Sequence, residues 1–143
     1  MTLDEIKRDL ERDVLARGLD DSYIDRDEER EILQIALQRG LNLEASQQAL
    51  RDVCAERDYV LESDVLKRIH ADVLAGLGKD GKIDRREFER AVISAQVAAK
   101  NRKSDDDIRR WLVQYLDELG QHRIKTGLFR NWYWSMKKRL GLS

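Results

Sequence analysis

Apolar residues recur along most of the chain at intervals of three and four positions, the spacing of one face of an α-helix. In residues 2–17, Leu3, Ile6, Leu10 and Val14 fall on one such face. Further stripes of the same kind follow, and a glycine or a short polar stretch separates most of them. The pattern predicts an all-α fold, a single compact bundle of about seven helices joined by short turns.

Polar residues in front of several stripes predict where helices begin. Asn42, Ser63 and Ser104 each precede an apolar stripe, and each side chain can accept a hydrogen bond from an unpaired N–H at a helix start. Three aspartates directly after Ser104 favour the positive end of the helix dipole. The last helix begins, or is interrupted, near Gly127.

One short segment occurs twice, 59 residues apart, and each copy leads into a predicted helix. Residues 21–28 read Asp-Ser-Tyr-Ile-Asp-Arg-Asp-Glu, and residues 80–87 read Asp-Gly-Lys-Ile-Asp-Arg-Arg-Glu. Such recurrence indicates a duplicated helix-turn-helix architecture. We predict a core over residues 1–120, with repeats at about 1–58 and 59–119. A basic aromatic helix in residues 121–143 then packs on this core or extends from it.

The second copy matches the latter half of a calcium-binding EF-hand loop, residues 76–87. With Ile83 at loop position 8, Asp80, Asp84 and Glu87 occupy ligand positions 5, 9 and 12, and Gly81 takes the sharp bend at position 6. Glycines stand at ligand positions 1 and 3, so two carboxylates are missing. A weak Ca²⁺ or Mg²⁺ site that uses Asp80, Asp84 and Glu87 is one interpretation.

The first copy places Asp21, Asp25 and Glu28 at the same ligand positions and lacks the same two carboxylates. Ser22 takes the bend position that glycine occupies in the second copy. The alternative interpretation applies to both copies and involves no metal. In it, each Asp before the helix is an N-cap and the Glu three residues later completes a capping box.

These residues resemble TerB-like helical domains, a family named for a tellurite-resistance protein. The pattern of this family is an acidic turn, an isoleucine, a glutamate, a helix and then Gly-Leu. In this chain Asp21, Ile24 and Glu28 match the turn, and residues 40–41 match the Gly-Leu. The pattern recurs from residue 80 to about residue 98. The resemblance covers residues 1–119. It implies a compact interaction or sensing module of bacterial stress-response, chaperone-linked or membrane-associated systems, without catalytic activity. The residues it carries over are the turn acids: Asp21, Asp25, Glu28, Asp80, Asp84 and Glu87.

Charge is distributed unevenly along the chain. All 28 acidic residues lie at or before Glu118 and six of the 27 basic residues follow it, which leaves a body of net charge −7 and a tail of +6. A basic aromatic tail suits a partner groove or an anionic membrane surface. The alternative is that its aromatic stripe completes the core against Trp111 and Tyr115 while the cations face the acidic body. The predicted contact residues are Arg130, Trp132, Trp134, Lys137, Lys138 and Arg139.

Several other functions find little support in the sequence. Residues 76–82 match the glycine and lysine spacing of a phosphate-binding loop, but Ile83 follows where magnesium needs Ser or Thr, so no nucleotide is expected. The two histidines and Cys54 lack zinc-ligand spacing, and Cys54 lies in an apolar stripe typical of a buried thiol. The acidic body would repel nucleic-acid phosphates. No pattern favours an enzyme.

No apolar run approaches the ~20 residues that cross a bilayer, and the acidic N-terminus does not resemble a secretory signal. We therefore expect a cytoplasmic protein, or one held peripherally at the inner face of a membrane. The expected function is a non-enzymatic interaction or regulatory module that acts through a protein partner and needs no cofactor. The alternatives are a divalent-cation sensor that uses loop 76–87 and a membrane adaptor that uses the C-terminal helix.

Overall fold

The computed structural model describes residues 2–18, 21–120, 123–126 and 131–142. Seven α-helices lie in these ranges, and they confirm the all-α fold class. The described residues also contain two short strands, β1 (Tyr23–Ile24) and β2 (Val60–Leu61). The helices are α1 (Leu3–Arg17), α2 (Arg26–Gln38), α3 (Leu43–Arg57), α4 (Glu62–Gly76), α5 (Arg85–Ala99), α6 (Asp105–Leu119) and α7 (Trp132–Arg139).

Capping side chains fix most helix starts as the sequence predicts. Asn42 caps α3 and Ser104 caps α6, each through a side-chain oxygen that accepts a backbone N–H bond. The prediction for Ser63 is wrong, because α4 begins one residue earlier at Glu62. The Ser63 hydroxyl instead donates to Oε1 of Glu29 at 3.1 Å, so its hydrogen bond joins α4 to α2 rather than capping a helix.

The chain divides into two compact units, Met1–Asp64 and Val65–Ser143, and the division falls inside α4. The second unit contains the C-terminal helix α7. The repeat boundaries given by the sequence, 1–58 and 59–119, and the separate segment 121–143 stay predictions.

In the first unit, α1, α2 and α3 pack on one another around an apolar core. Gly18 ends α1, and the ring of Tyr59 lies against it. A side chain at position 18 would clash with this ring, so glycine suits the position. Cys54 is buried, as predicted, and burial, with Asp64 and Glu29 adding, raises its pKa to about 11. The core comprises Ile6, Leu10, Val14, Ile24, Ile32, Ala36, Leu41, Ala49, Leu50, Val53, Cys54 and Leu61.

In the second unit, α5 packs against α6. The small residues Ala91, Ala95 and Ala99 allow a close approach of α5 to its neighbours, and Phe88 fills the space near the start of the helix. The other buried apolar side chains of this unit are Val65, Ile69, Val73, Ile83, Val92, Ile108, Leu112, Val113, Leu116, Ile124, Tyr133, Met136 and Leu140.

Each unit has the same internal order: a helix, an acidic turn, two helices, and an extended segment that pairs with the turn. In the first unit, Ile24 pairs in parallel with Leu61. In the second, Ile83 forms a parallel bridge with Ile124. Two hydrogen bonds hold this bridge, from Ile83 N–H to the Arg123 carbonyl at 2.7 Å and from Lys125 N–H to the Ile83 carbonyl at 2.8 Å. Each isoleucine of the repeat therefore positions the segment that follows the third helix of its own unit.

Candidate functional site

The acids of the first turn form a complete helix cap. Oδ1 of Asp25 accepts a bond from Glu28 N–H at 2.8 Å, and Oε1 of Glu28 accepts one from Asp25 N–H at 3.1 Å. Asp21 accepts from Tyr23 N–H at 3.1 Å. Burial raises the pKa of Glu28, and the neighbouring Asp25 carboxylate adds to the shift. All three carboxylates that the sequence offers as cation ligands thus hydrogen-bond to the backbone of their own turn.

In the second turn, two of the three acids accept hydrogen bonds from the backbone of that turn. Asp84 caps α5 by accepting from Glu87 N–H at 2.8 Å. Asp80 accepts from Lys82 N–H at 3.1 Å and lies 3.8 Å from Nζ of Lys125. Oε2 of Glu87 is buried and lacks a hydrogen-bond partner among the described residues. Within that part of the chain, no three His, Cys, Asp or Glu side chains lie close enough together to hold a metal ion.

One face of α7 belongs to the core of the second unit. Tyr133, Met136 and Leu140 are buried. The Tyr133 hydroxyl lies 2.9 Å from the Val113 carbonyl and 2.8 Å from Oδ1 of Asp117, both on α6. Burial raises the pKa of Tyr133, and the bond to Asp117 raises it further. This face of α7 therefore packs in the core, as in the interpretation that the aromatic stripe completes the core of the chain.

Trp132 is part of the same packing and is only partly exposed. Its ring packs edge-to-face with that of Phe88, with 5.4 Å between centroids, and its Nε1 donates to the Lys125 carbonyl at 2.8 Å. Tyr115, one of the two core residues against which the sequence predicts this stripe to pack, stacks on His70 at 3.9 Å between ring centroids. Trp132, which the sequence offers as a contact residue, therefore holds α7 against its own unit.

Two of the predicted contact cations are paired with acids on α6. Nζ of Lys137 lies 2.8 Å from Oδ2 of Asp117, and only 13% of the Lys137 side chain is exposed. Nη1 of Arg139 lies 3.2 Å from both carboxylate oxygens of Asp106. Hydrogen bonds from Arg109 and from Arg139 lower the pKa of Asp106. Much of the positive charge of the tail is thus offset locally.

Trp134 and Lys138 remain available to a ligand. Trp134 is 60% exposed, and Nζ of Lys138 lies 5.1 Å from the centroid of its indole ring, within cation–π range. Among the described residues, no carboxylate pairs with Lys138. Arg130, the remaining predicted contact residue, lies outside the described residues.

Trp134 and Lys138 line a cavity of about 660 Å³, which we call the C-terminal groove. The pairing of Ile124 with Ile83 fixes one wall, and α7 with the residues after it forms the other. The sequence did not reveal this groove, because its walls meet only after residues 124 and 126 are placed beside α7. Among the described residues, the lining contains two lysines and no carboxylate: Ile124, Thr126, Asn131, Tyr133, Trp134, Lys137, Lys138, Gly141 and Leu142.

Comparison of the chain with protein-family models, curated proteins and solved structures found no match. Among the helices described, none has both the length and the apolar character needed to cross a membrane.

Proposed function

We propose that this chain is a non-catalytic helical interaction module that binds a protein partner through the C-terminal groove. The observation that carries the proposal is the exposed indole of Trp134 beside a largely apolar cavity. Tryptophan is among the residues that contribute most to binding energy in protein interfaces, because it buries a large rigid surface. Core packing explains the other aromatic residues described in α7, but not Trp134.

The composition of the groove favours an acidic segment with an apolar anchor. Leu142, which is partly exposed, and the ring of Trp134 offer apolar surface for such an anchor, and the buried side chains of Ile124 and Tyr133 line the same cavity. Lys138 offers a positive charge that no carboxylate of the described residues neutralises, and the described part of the lining contains no acid to repel a carboxylate. A peptide that places a large apolar side chain near a Glu or Asp would satisfy both features.

A protein partner suits the charges better than a membrane. Attraction to an anionic bilayer contributes about 1 kcal/mol for each cation near the surface. Carboxylates on α6 already neutralise Lys137 and Arg139, so Lys138 is the described α7 cation whose charge no carboxylate offsets. Flotation with phosphatidylserine vesicles tests the membrane alternative. Strong binding at physiological salt that the Lys137→Glu/Lys138→Glu variant loses would favour lipid over protein.

A regulatory role in a cytoplasmic stress-response system is the part of the proposal that the TerB-like resemblance supports. A response to divalent cations is a separate proposal, motivated by the buried, unpaired oxygen of Glu87 in loop 76–87. Calcium titration followed by amide NMR tests it. Unchanged signals from Gly81 and Ile83 at millimolar calcium would reject the cation sensor and leave the interaction module standing.

Quantitative capture tests the interaction module. The intact chain is immobilised and exposed to an extract of the cells that produce it, and bound proteins are measured by mass spectrometry. We expect the partner to be lost at least about tenfold with Trp134→Ala/Lys138→Glu, since both changes remove contacts central to the groove. The matched control, Leu74→Ala/Lys67→Glu, changes an exposed apolar residue and an exposed lysine on α4.

Both variants must first give the helical circular dichroism signal of the wild type, so that loss of capture reports on the surface. Equal capture by the wild type and the groove variant would contradict the proposal, and so would an equal loss in the control variant.

A further inference from the structure

Helix α5 presents an exposed stripe that its own unit does not cover. Arg86, Arg90, Ile93 and Val97 are all exposed, and their 4-3-4 spacing places them on one face, which we call the α5 face. Ile93 is 67% exposed and Val97 is 72% exposed. The opposite face of α5 is fully packed, so this stripe is not an unfilled part of the core.

The internal repeat supplies a comparison for this stripe. At the same offset of 59 residues, α2 carries Asp27, Glu31, Gln34 and Gln38, and all four are exposed. The first copy therefore has the polar composition expected of a solvated helix face. The second copy has two arginines in place of the two acids and two β-branched apolar residues in place of the two glutamines.

These differences are locally unfavourable in an isolated unit. Arg86 is the second residue of α5, where the positive end of the helix dipole disfavours a cation, whereas Asp27 at the equivalent position is favoured. β-Branched side chains also have lower helix propensity than glutamine. These residues do not stabilise the unit itself. Their presence therefore indicates a contact with another molecule.

We infer that the α5 face binds an acidic amphipathic helix of a protein partner, packed along α5 in the manner of a coiled coil. The 4-3-4 spacing is the spacing of a coiled-coil seam, and Ile93 with Val97 would fill its apolar positions. Arg86 and Arg90 lack a carboxylate partner among the described residues, so they are available to acids of the bound helix. The neighbouring Glu89 is already paired with Arg109 at 3.0 Å and would not repel that helix.

A second copy of this chain fits the α5 face less well. In a parallel pair of α5 helices, each arginine would face its own counterpart. In an antiparallel pair centred between Ile93 and Val97, Arg90 would face Lys100 of the other copy. Like charges placed opposite each other cost binding energy, so the charge pattern favours an acidic partner helix.

A synthetic peptide provides the test. It is a helix of about three heptads with leucine at the seam positions and glutamate beside them, and its binding to the intact chain is followed by fluorescence anisotropy. Two variants place the α2 residues on α5: Ile93→Gln/Val97→Gln and Arg86→Asp/Arg90→Glu. Each is expected to weaken binding at least about tenfold, because one removes the apolar contact and the other reverses the charge. A control peptide with lysine in place of glutamate should bind the wild type as weakly as the glutamate peptide binds these two variants.

The groove variant Trp134→Ala/Lys138→Glu separates this inference from the proposed function, because a peptide held by the α5 face should bind this variant with the affinity it has for the wild type. Loss of peptide binding in the groove variant, with binding kept by Ile93→Gln/Val97→Gln, would place the peptide in the C-terminal groove and overturn the inference. Absence of peptide binding to the wild type would overturn the inference, as would equal binding by the wild type and the Ile93→Gln/Val97→Gln variant. Sedimentation of the wild type without the peptide tests whether a second copy of this chain occupies the α5 face. A dimer that Ile93→Gln/Val97→Gln abolishes would assign the α5 face to self-association instead.

Discussion

Ser22 and Gly81 occupy the same position in the two acidic turns, and both have positive φ, 53° and 71°. Only glycine adopts this conformation without a steric cost. We expect Ser22→Gly to stabilise the protein by about 0.5–1 kcal/mol, and Gly81→Ser to destabilise it by about 1 kcal/mol or more. Urea unfolding of the two variants measures both effects. Destabilisation by Ser22→Gly would show that the serine hydroxyl contributes more than the backbone conformation costs.

Glu28 makes stability depend on pH. Its folded pKa is raised above the ordinary value of 4.5, so the folded chain binds more protons than the unfolded chain between the two values. Stability is therefore lost as pH rises through this window, and the loss persists at neutral pH. A Glu28→Gln amide can still accept the Asp25 N–H bond, so the variant should gain stability relative to the wild type between about pH 4 and pH 7. Urea unfolding across that range checks this, and a constant difference would contradict it.

Glu62 links three elements of the first unit. It is buried where β2 meets α4, and its carboxylate accepts bonds from the Tyr23 hydroxyl on β1 at 2.8 Å and from Arg26 N–H of α2 at 2.9 Å. Loss of a partner leaves a buried polar group unpaired, so Tyr23→Phe should cost about 1–3 kcal/mol. A double-mutant cycle with Glu62→Gln should give a coupling of about 1 kcal/mol or more. Additive effects would show that the two side chains act independently.

The helices were predictable because their signals are local. A stripe such as Leu3 to Val14 and a cap such as Asn42 act within one or two turns of chain, so spacing and residue type suffice. The strands escaped prediction because two residues show no periodicity. The prediction for Ser63 was wrong because its position in the sequence suits a helix cap. Its hydroxyl donates instead to Glu29, which is distant in sequence.

The candidate site was only partly predictable. Composition identified a basic aromatic tail, and Trp134 and Lys138 are the described members that stay available to a ligand. It could not reveal that Asp117 and Asp106 on α6 pair with Lys137 and Arg139, because those pairs depend on how α7 lies on α6. The C-terminal groove is likewise a product of tertiary packing.

At the scale of the whole molecule, the two proposed surfaces lie in the same unit. The C-terminal groove and the α5 face both belong to residues 65–143, while the equivalent stripe of the first unit, on α2, is polar. Each unit repeats one architecture around an acidic turn. Only the second copy has exposed apolar residues and arginines on this stripe, a composition that is not expected of a helix face in contact with water. The two units therefore share one order of elements but carry different surfaces.

The most direct measurement places a photoreactive benzoylphenylalanine at position 134 of the intact chain, in extracts of the cells that produce it. We expect a covalent adduct with the same protein that the wild type captures and the groove variant loses, and no such adduct from position 74 on α4. Adducts of equal yield at both positions, or none at position 134 while capture persists, would contradict partner binding through the C-terminal groove.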